Sequence, residues 1–266
     1  MQNLKGKVAI VTGGTGGIGR GIALRLAERG ASVVINGRDI HKAETVLSDI
    51  RNIGGTGCFA QGDVRSRADM DRVAALAAER FGGIDIVVPN AGGDDEAARS
   101  PQVRGPFSDI DLSRVSAFVA QGLAAKLLIV QAALPFVRQR SGGSVVFVTS
   151  EGGRTPTPGQ TAIASFSGGL IMASKVLSKE LAREKIRVNC VCVTLVRDTP
   201  SWDSAFGAHP TVAPRHRKQY EKIIDSSPLG VASPADIGNV VAFLASEDAS
   251  YLTGSTISPT GGLTIH

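Results

Sequence analysis

Tyrosine is nearly absent from this chain. Its 266 residues include two, Tyr220 and Tyr251, and the residues four positions beyond them are Ile224 and Ser255. No Tyr-x-x-x-Lys exists anywhere, so chemistry that sets those two side chains on one helical face is excluded. Aromatic residues together make up 5% of the chain, and the net charge of +5 comes with no motif that reads bases. No nucleic-acid partner is expected. Cysteine is scarce and odd in number: Cys58, Cys190 and Cys192. The last two lie two apart in the strand-like RVNCVCV, on one face and with no histidine near, which reads as buried thiols rather than a metal site. No uninterrupted apolar run reaches the roughly 18 residues of a membrane span, so no membrane partner is expected. The opening MQNLKGKVAIVTGG lacks the layout of a signal peptide. A soluble, cytoplasmic protein is the expectation.

What is present is the material of a large core. Apolar residues make up 42% and charged residues 20%, a balance that argues against disorder. The pattern alternates short β-branched runs with amphipathic stretches. KVAIVTGG (7–14), ASVVING (31–37), GCFAQGDV (57–64), IDIVVPNAGG (84–93), SVVFVTS (144–150), KIRVNCVCV (185–193) and STISP (255–259) read as strands. Helices are predicted over 16–30, 41–55, 68–83, about 111–139, about 163–184 and 234–246. Regular βα alternation implies a Rossmann-like, doubly wound parallel sheet with helices on both faces. No linker divides it, so residues 1–266 are read as a single α/β domain. Its nucleotide-binding part is placed at about 1–150 and a substrate lid at about 194–228.

After the first strand stands TGGTGGIG, residues 12–19. Gly13 permits the turn, Gly17 admits a pyrophosphate to the backbone, and Gly19 lets the helix pack close to the sheet. The free N–H groups and dipole at that helix start then favour phosphate. The second strand ends in Asn36-Gly37-Arg38-Asp39. An acid at the strand end would hold the ribose of NAD, but Gly37 has no side chain and Arg38 can pair with the extra phosphate of NADP. NADP(H) is therefore preferred over NAD(H); the alternative leaves Arg38 a surface charge and gives the ribose to Asp39. Asp63-Val64 and Asn90-Ala91-Gly92 lie at the carboxyl edge of the sheet, where ligands bind in such folds.

Together TGGTGGIG, the GDV turn (62–64), NAGG (90–93), SVVFVTS, IRVN (186–189) and SPLGVASPADIGNVVAFLASEDASYLTG (227–254) resemble the short-chain dehydrogenase/reductase family over almost the whole chain. The resemblance implies a cofactor set of Gly13, Thr15, Gly16, Gly17, Ile18, Gly19, Asn36, Arg38, Asp63, Val64, Asn90, Ala91, Gly92 and Thr199. It also implies hydride transfer through an Asn, Ser, Tyr and Lys set, in which Ser positions the substrate. The serine matches Ser150. The tyrosine position, thirteen residues on, is Ile163, the lysine position is Ser167, and counting back from AALP (132–135) puts the asparagine at Gly122. The usual Pro-Gly after the sixth strand is Val193-Thr194. Lys175 is no substitute, standing about 12 Å farther along the helix than Ser167.

These departures direct the functional reading. A positioned acid is worth about 10²–10⁴ in rate, and isoleucine donates nothing. The expectation is an NADPH-binding oxidoreductase with a non-standard site that reduces an activated small molecule, such as an iminium ion or enone. A relocated acid could be Glu151, Asp94, Asp95, Asp198 or His209. The alternatives are a non-redox enzyme on the same scaffold (cyclase, pericyclase or dehydratase) and a nucleotide-binding pseudoenzyme. Trp202, Phe206, His209 and Pro210 could form an apolar lid, with GGDDEAARSPQVRGP (92–106) as the opposite rim. The basic run PRHRKQYEK (214–222) is read as a solvated helix face, attraction for anionic substrates being the sharper alternative. The resemblance also suggests a homotetramer or homodimer joined through the helices near 111–139 and 163–184.

Overall fold

The computed structural model describes residues 3–92 and 95–265, the side chains of 95 and 96 excepted. Seven strands form one parallel sheet: β1 (Val8–Thr12), β2 (Ser32–Gly37), β3 (Thr56–Gln61), β4 (Ile86–Val88), β5 (Gly143–Ser150), β6 (Ile186–Val193) and β7 (Thr256–Ile257). Their order is β3-β2-β1-β4-β5-β6-β7. The order reverses between β1 and β4, which pair Ala9 with Ile86 and Val11 with Val88. That reversal opens the crevice at the carboxyl edge where a ligand can sit.

Alternate residues of each strand feed two separate cores, as the pleat requires. Ile10, Val34, Val87, Val145, Phe147, Cys190 and Cys192 face one side. There they meet helices α3 (Arg67–Phe81), α5 (Leu112–Arg138) and α6 (Thr161–Leu181). Ala9, Val11, Val33, Ile35, Val88, Val146 and Val191 face the other. They meet α1 (Gly17–Glu28), α2 (Ile40–Asn52) and α9 (Pro234–Ala245). Cys190 and Cys192 share a buried face as free thiols. The hydrogen bond between their side chains and burial push the Cys192 thiol far up.

The predicted elements are all found, with some trimmed. β4 is three residues and β7 two. The segment between β6 and α9, read as a substrate lid with a helical basic run, holds α7 (Pro200–Phe206) and α8 (Pro214–Asp225), and the polar loop after β4 holds α4 (Asp95–Arg99). Proline at the first turn of α7 and of α8 presets the helical φ where no N–H is needed. In length and mean hydropathy, the helical stretches Leu112–Arg138 and Thr161–Glu184 would suffice to cross a membrane. Here each lays its apolar stripe on the sheet.

Candidate nucleotide and substrate site

The first turn is built by close approach. A β-carbon on Gly19 would lie 2.0 Å from the Gly13 carbonyl oxygen, so only glycine lets α1 start there. Gly13 and Gly17 hold φ of 65° and 50°, backbone that favours glycine. No side chain caps α1, and its first turn holds no acid. By contrast α2, α3, α5, α7 and α9 are capped by Asp39, Ser66, Asp111, Thr199 and Ser233. The orphan N–H groups of α1 face the crevice as a cradle for an anion. Gly16 is its N-cap, and Ile18 packs on the core beneath. Pro200 Cδ comes within 3.2 Å of where a Gly17 β-carbon would stand. Thr199 Oγ1 accepts from Trp202 N and donates to the Val196 carbonyl, fixing the start of α7 over the glycine turn.

The end of β2 shows why Gly37 has no side chain: a β-carbon there would lie 2.6 Å from Thr15 Oγ1. Asp39 caps α2 through the N–H groups of His41 and Lys42, so its carboxylate is already engaged. Arg38 borders a hollow of about 280 Å³ with Gln61, Gly62, Asp63, Asp69 and Arg72. Asn36 donates to the Ala60 and Gly62 carbonyls, tying β2 to β3. Asp63 is held by Arg65 at 2.6 Å. Chiefly through that side-chain hydrogen bond, its carboxyl is brought down to about 2. Val64 packs on the core. On the other side of β1, the N–H groups of Asn90 and Ala91 both donate to Thr12 Oγ1 at 3.1 Å. Asn90 Nδ2 donates to the Thr12 carbonyl. These residues fit a dinucleotide: bare N–H groups, room for a backbone approach, and a basic side chain beyond the adenosine end of β2.

The substrate end gathers around Gly152. A β-carbon there would lie 3.4 Å from both Ser150 Oγ and Gln160 Oε1 and 3.5 Å from Ile163 Cγ2. Ser150 Oγ accepts from Gly152 N at 3.1 Å. Ser167 is fully buried with its hydroxyl unpartnered. Gly122 lies under Phe166, whose ring carbons would stand 2.9 Å from a β-carbon at that position. Lys175 points elsewhere, donating to the Gly254 carbonyl.

Of the five acids named from sequence, Glu151 is 3% exposed, and its oxygens accept from the hydroxyls of Thr155, Ser258 and Thr264. It ties the C-terminal segment to the end of β5. Asp198 and His209 are exposed. Asp94 and the side chain of Asp95 lie outside the described residues. In the segment read as a lid, the Trp202 and Phe206 rings meet at a tilt with centroids 4.7 Å apart, and Phe206 approaches Tyr220 at 6.4 Å. His209 and Pro210 are exposed, whereas Trp202 and Phe206 are partly buried.

Sequence reasoning passed over three residues. Gln160 is one. Lys126 of α5 is 2% exposed and donates to the Asn90 carbonyl at 2.6 Å and the Pro89 carbonyl at 3.1 Å. It puts a buried cation under the NAGG turn, with its stem filling the space a Gly92 side chain would need. A lone lysine inside the apolar stretch GLAAKLLIV was the available signal. The third, Arg104, is 9% exposed in the loop before α5.

A family model described as enoyl-(acyl carrier protein) reductase matches residues 13–264. The chain is 34% identical over 263 residues to human (Homo sapiens) dehydrogenase/reductase SDR family member 4, covering 97% of this chain and 88% of that one. It is 32% identical over 264 residues to the 2,5-dichloro-2,5-cyclohexadiene-1,4-diol dehydrogenase of Sphingobium indicum, covering 99% and 98%. Among solved structures it is similar to 7α-hydroxysteroid dehydrogenase complexed with NADH and 7-oxo glycochenodeoxycholic acid. The TM-score is 0.85 at 26% identity, covering 98% of this chain and 96% of that one. The glycine turn, the reversal between β1 and β4, and these likenesses agree: the chain belongs to the short-chain dehydrogenase/reductase family of oxidoreductases.

Proposed function

We propose that this protein is an NADP(H)-dependent oxidoreductase that reduces an activated small molecule, an iminium ion or a conjugated enone, rather than a simple ketone. The observation that carries the reading is the side chain at 163: hydrocarbon beside Ser150 and Gln160, below an undisturbed nucleotide cradle. A bound nicotinamide would supply the hydride. Gly13, Thr15, Gly17 and the start of α1 would hold the phosphates. Ser150 and Gln160 can hydrogen-bond a substrate heteroatom, but Ile163 delivers no proton. A ketone would therefore forgo the factor of about 10²–10⁴ that a positioned acid contributes. An iminium ion becomes neutral on reduction and needs no proton, and an enone passes its charge to a distant oxygen.

Preference for the phosphorylated nucleotide is supported at the end of β2. Gly37 carries no acid and a side chain there would press on Thr15, Asp39 is engaged as a cap, and Arg38 is in no ion pair among the described residues. We further take the exposed apolar residues of α5 and α6 as the meeting face of a homo-oligomer.

The test is titration with NADPH and, separately, NADH, followed by nicotinamide fluorescence. Tighter NADPH binding is expected, with Arg38→Ser removing the preference by weakening NADPH about tenfold, the scale of one charged hydrogen bond. Oxidation of NADPH should then follow with a cyclic iminium or an enone and not with cyclohexanone. Binding of neither nucleotide would overturn the reading and leave a non-redox pocket.

A further inference from the structure

We propose that Arg104, with Arg215 and Lys218 beside it, is the seat for a carboxylate at the far end of the substrate. The substrate class is then an activated carbonyl or imine that carries a carboxylate. The inference rests on the reading of this cleft as the substrate site and adds what that reading leaves open.

Arg104 is a buried cation with no anion paired to it among the described residues. Its Nη1 donates to the Tyr220 hydroxyl at 3.3 Å and its Nη2 to Gln219 Oε1 at 3.1 Å, and its Nε is buried with no partner. No carboxylate lies within ion-pair distance of it among the described residues, although Arg20, Arg65, Arg67, Arg138 and Arg140 each have one. Burying a guanidinium against neutral acceptors is costly unless something compensates the charge. The acid nearest in sequence on α8, Glu221, is taken by Arg217 at 3.0 Å.

The surroundings raise the positive potential further. Arg215, Lys218, Gln219 and Lys222 line a trench of about 500 Å³ along α8, and Gln219 is the residue that receives Arg104. His216, 4% exposed, has Nδ1 buried without a partner. Burial, then the charges of Arg104 and Arg215, push it down to about 4, while a hydrogen bond with the Arg104 backbone pulls it up. A histidine kept neutral between two arginines marks a place that would welcome negative charge.

The seat adjoins the turn that leads into α6. Gln219 Nε2 donates to the Pro158 carbonyl at 3.3 Å. A β-carbon on Gly159 would lie 3.4 Å from both Arg215 Nη2 and the Gly105 carbonyl oxygen. The next residue, Gln160, flanks Gly152 together with Ser150. In the proposed pose a molecule lying along this turn meets Ser150 and Gln160 with its reacting end and the Arg104 cluster with its anion. The partly buried site would be shielded from salt, unlike the exposed lysines, and a planar guanidinium suits a carboxylate.

The chain carries its own reporter. Trp202 is its one tryptophan, and it meets Phe206, which approaches Tyr220, the partner of Arg104. The experiment titrates the protein with hexanoate and with hexanamide at constant ionic strength, following tryptophan fluorescence. A saturable change with hexanoate alone is expected. Arg104→Met should weaken it about tenfold or more, the scale of a charged hydrogen bond. Should that variant misfold, Arg215→Gln with Lys218→Gln, which changes exposed positions, is expected to weaken hexanoate several-fold and leave hexanamide alone. Equal responses to acid and amide, or no saturable response to either, would overturn the proposal. The NADPH titration runs beside it on the same protein. Nucleotide binding without acid selectivity removes the carboxylate seat alone, and acid selectivity without nucleotide binding removes the reductase reading alone.

Discussion

Gly122 and Phe166 behave as one unit. The ring stands where a side chain at 122 would go, 2.9 Å from its β-carbon, so Gly122→Asn overpacks the α5–α6 contact. A loss of about 1–3 kcal/mol is expected. Phe166→Leu should return part of it, and a double-mutant cycle by urea unfolding measures the coupling. At Lys126 two effects compete. Removing a buried cation can stabilise a protein, but Lys126→Met strips a donor from the Asn90 carbonyl. The Pro89 carbonyl keeps a bond from Val148 N at 3.3 Å. One carbonyl left wanting costs about 1–3 kcal/mol, which outweighs the desolvation relieved where the ammonium already has close acceptors. The melting temperature should fall by several degrees, at about 2–4 °C per kcal/mol for a chain near this size. An unchanged or higher value would show that the cation is a burden.

At the scale of an element, α8 is a strap. It is held to the loop before α5 by Arg104, to the turn before α6 by Gln219, and to α7 by the Phe206–Tyr220 contact. Packed side chains make that joint, and His216 makes it sensitive to acid. An unfolded histidine takes a proton near pH 6.5, whereas His216 resists until about 4. The contribution is therefore full above pH 6.5 and is lost as pH falls from there to 4, to at most about 3 kcal/mol. Hydrogen exchange of the α8 amides should accelerate over that window, and His216→Gln should flatten the dependence. An α8 equally protected at pH 7 and pH 4.5 would contradict the assignment.

Across the whole molecule, the outer faces of α5 and α6 keep apolar residues in solvent: Leu112, Met172 and Val176 are 57%, 60% and 49% exposed. If a second copy covers them, Met172→Glu with Val176→Glu should halve the mass seen by light scattering and leave the fold's circular dichroism intact. A wild-type monomer at micromolar concentration would dismiss the interface. The same helices explain how apolar segments this long belong to a sheet protein. Their inner faces complete the core on one side, as Ile129, Val130, Phe166 and Leu170 show.

Much of this is local and could be read along the chain. Short β-branched apolar runs marked the strands, and βα alternation implied a parallel sheet, because only crossovers of helical length join parallel neighbours. The glycine turn and Arg38 followed from their places after the first two strands, and the positions 122, 150, 163 and 167 from the resemblance to the short-chain dehydrogenase/reductase family. What spacing could not reveal is which side chains distant in sequence come to share one place. Arg104 and Gln219, and Lys126 and Asn90, are joined by packing between elements, and Gln160 and Ser150 come to flank Gly152. In the segment before α9, the basic run at 214–222 was legible as a helix face and is α8, whereas α7 went unread because so short a helix forms against the loops it covers rather than from an apolar period of its own. The sequence alone determined the sheet and its nucleotide crevice, through periodicity and steric limits on the backbone. Tertiary structure alone decided where buried charge lies, because the burial of an arginine or lysine depends on what packs over it.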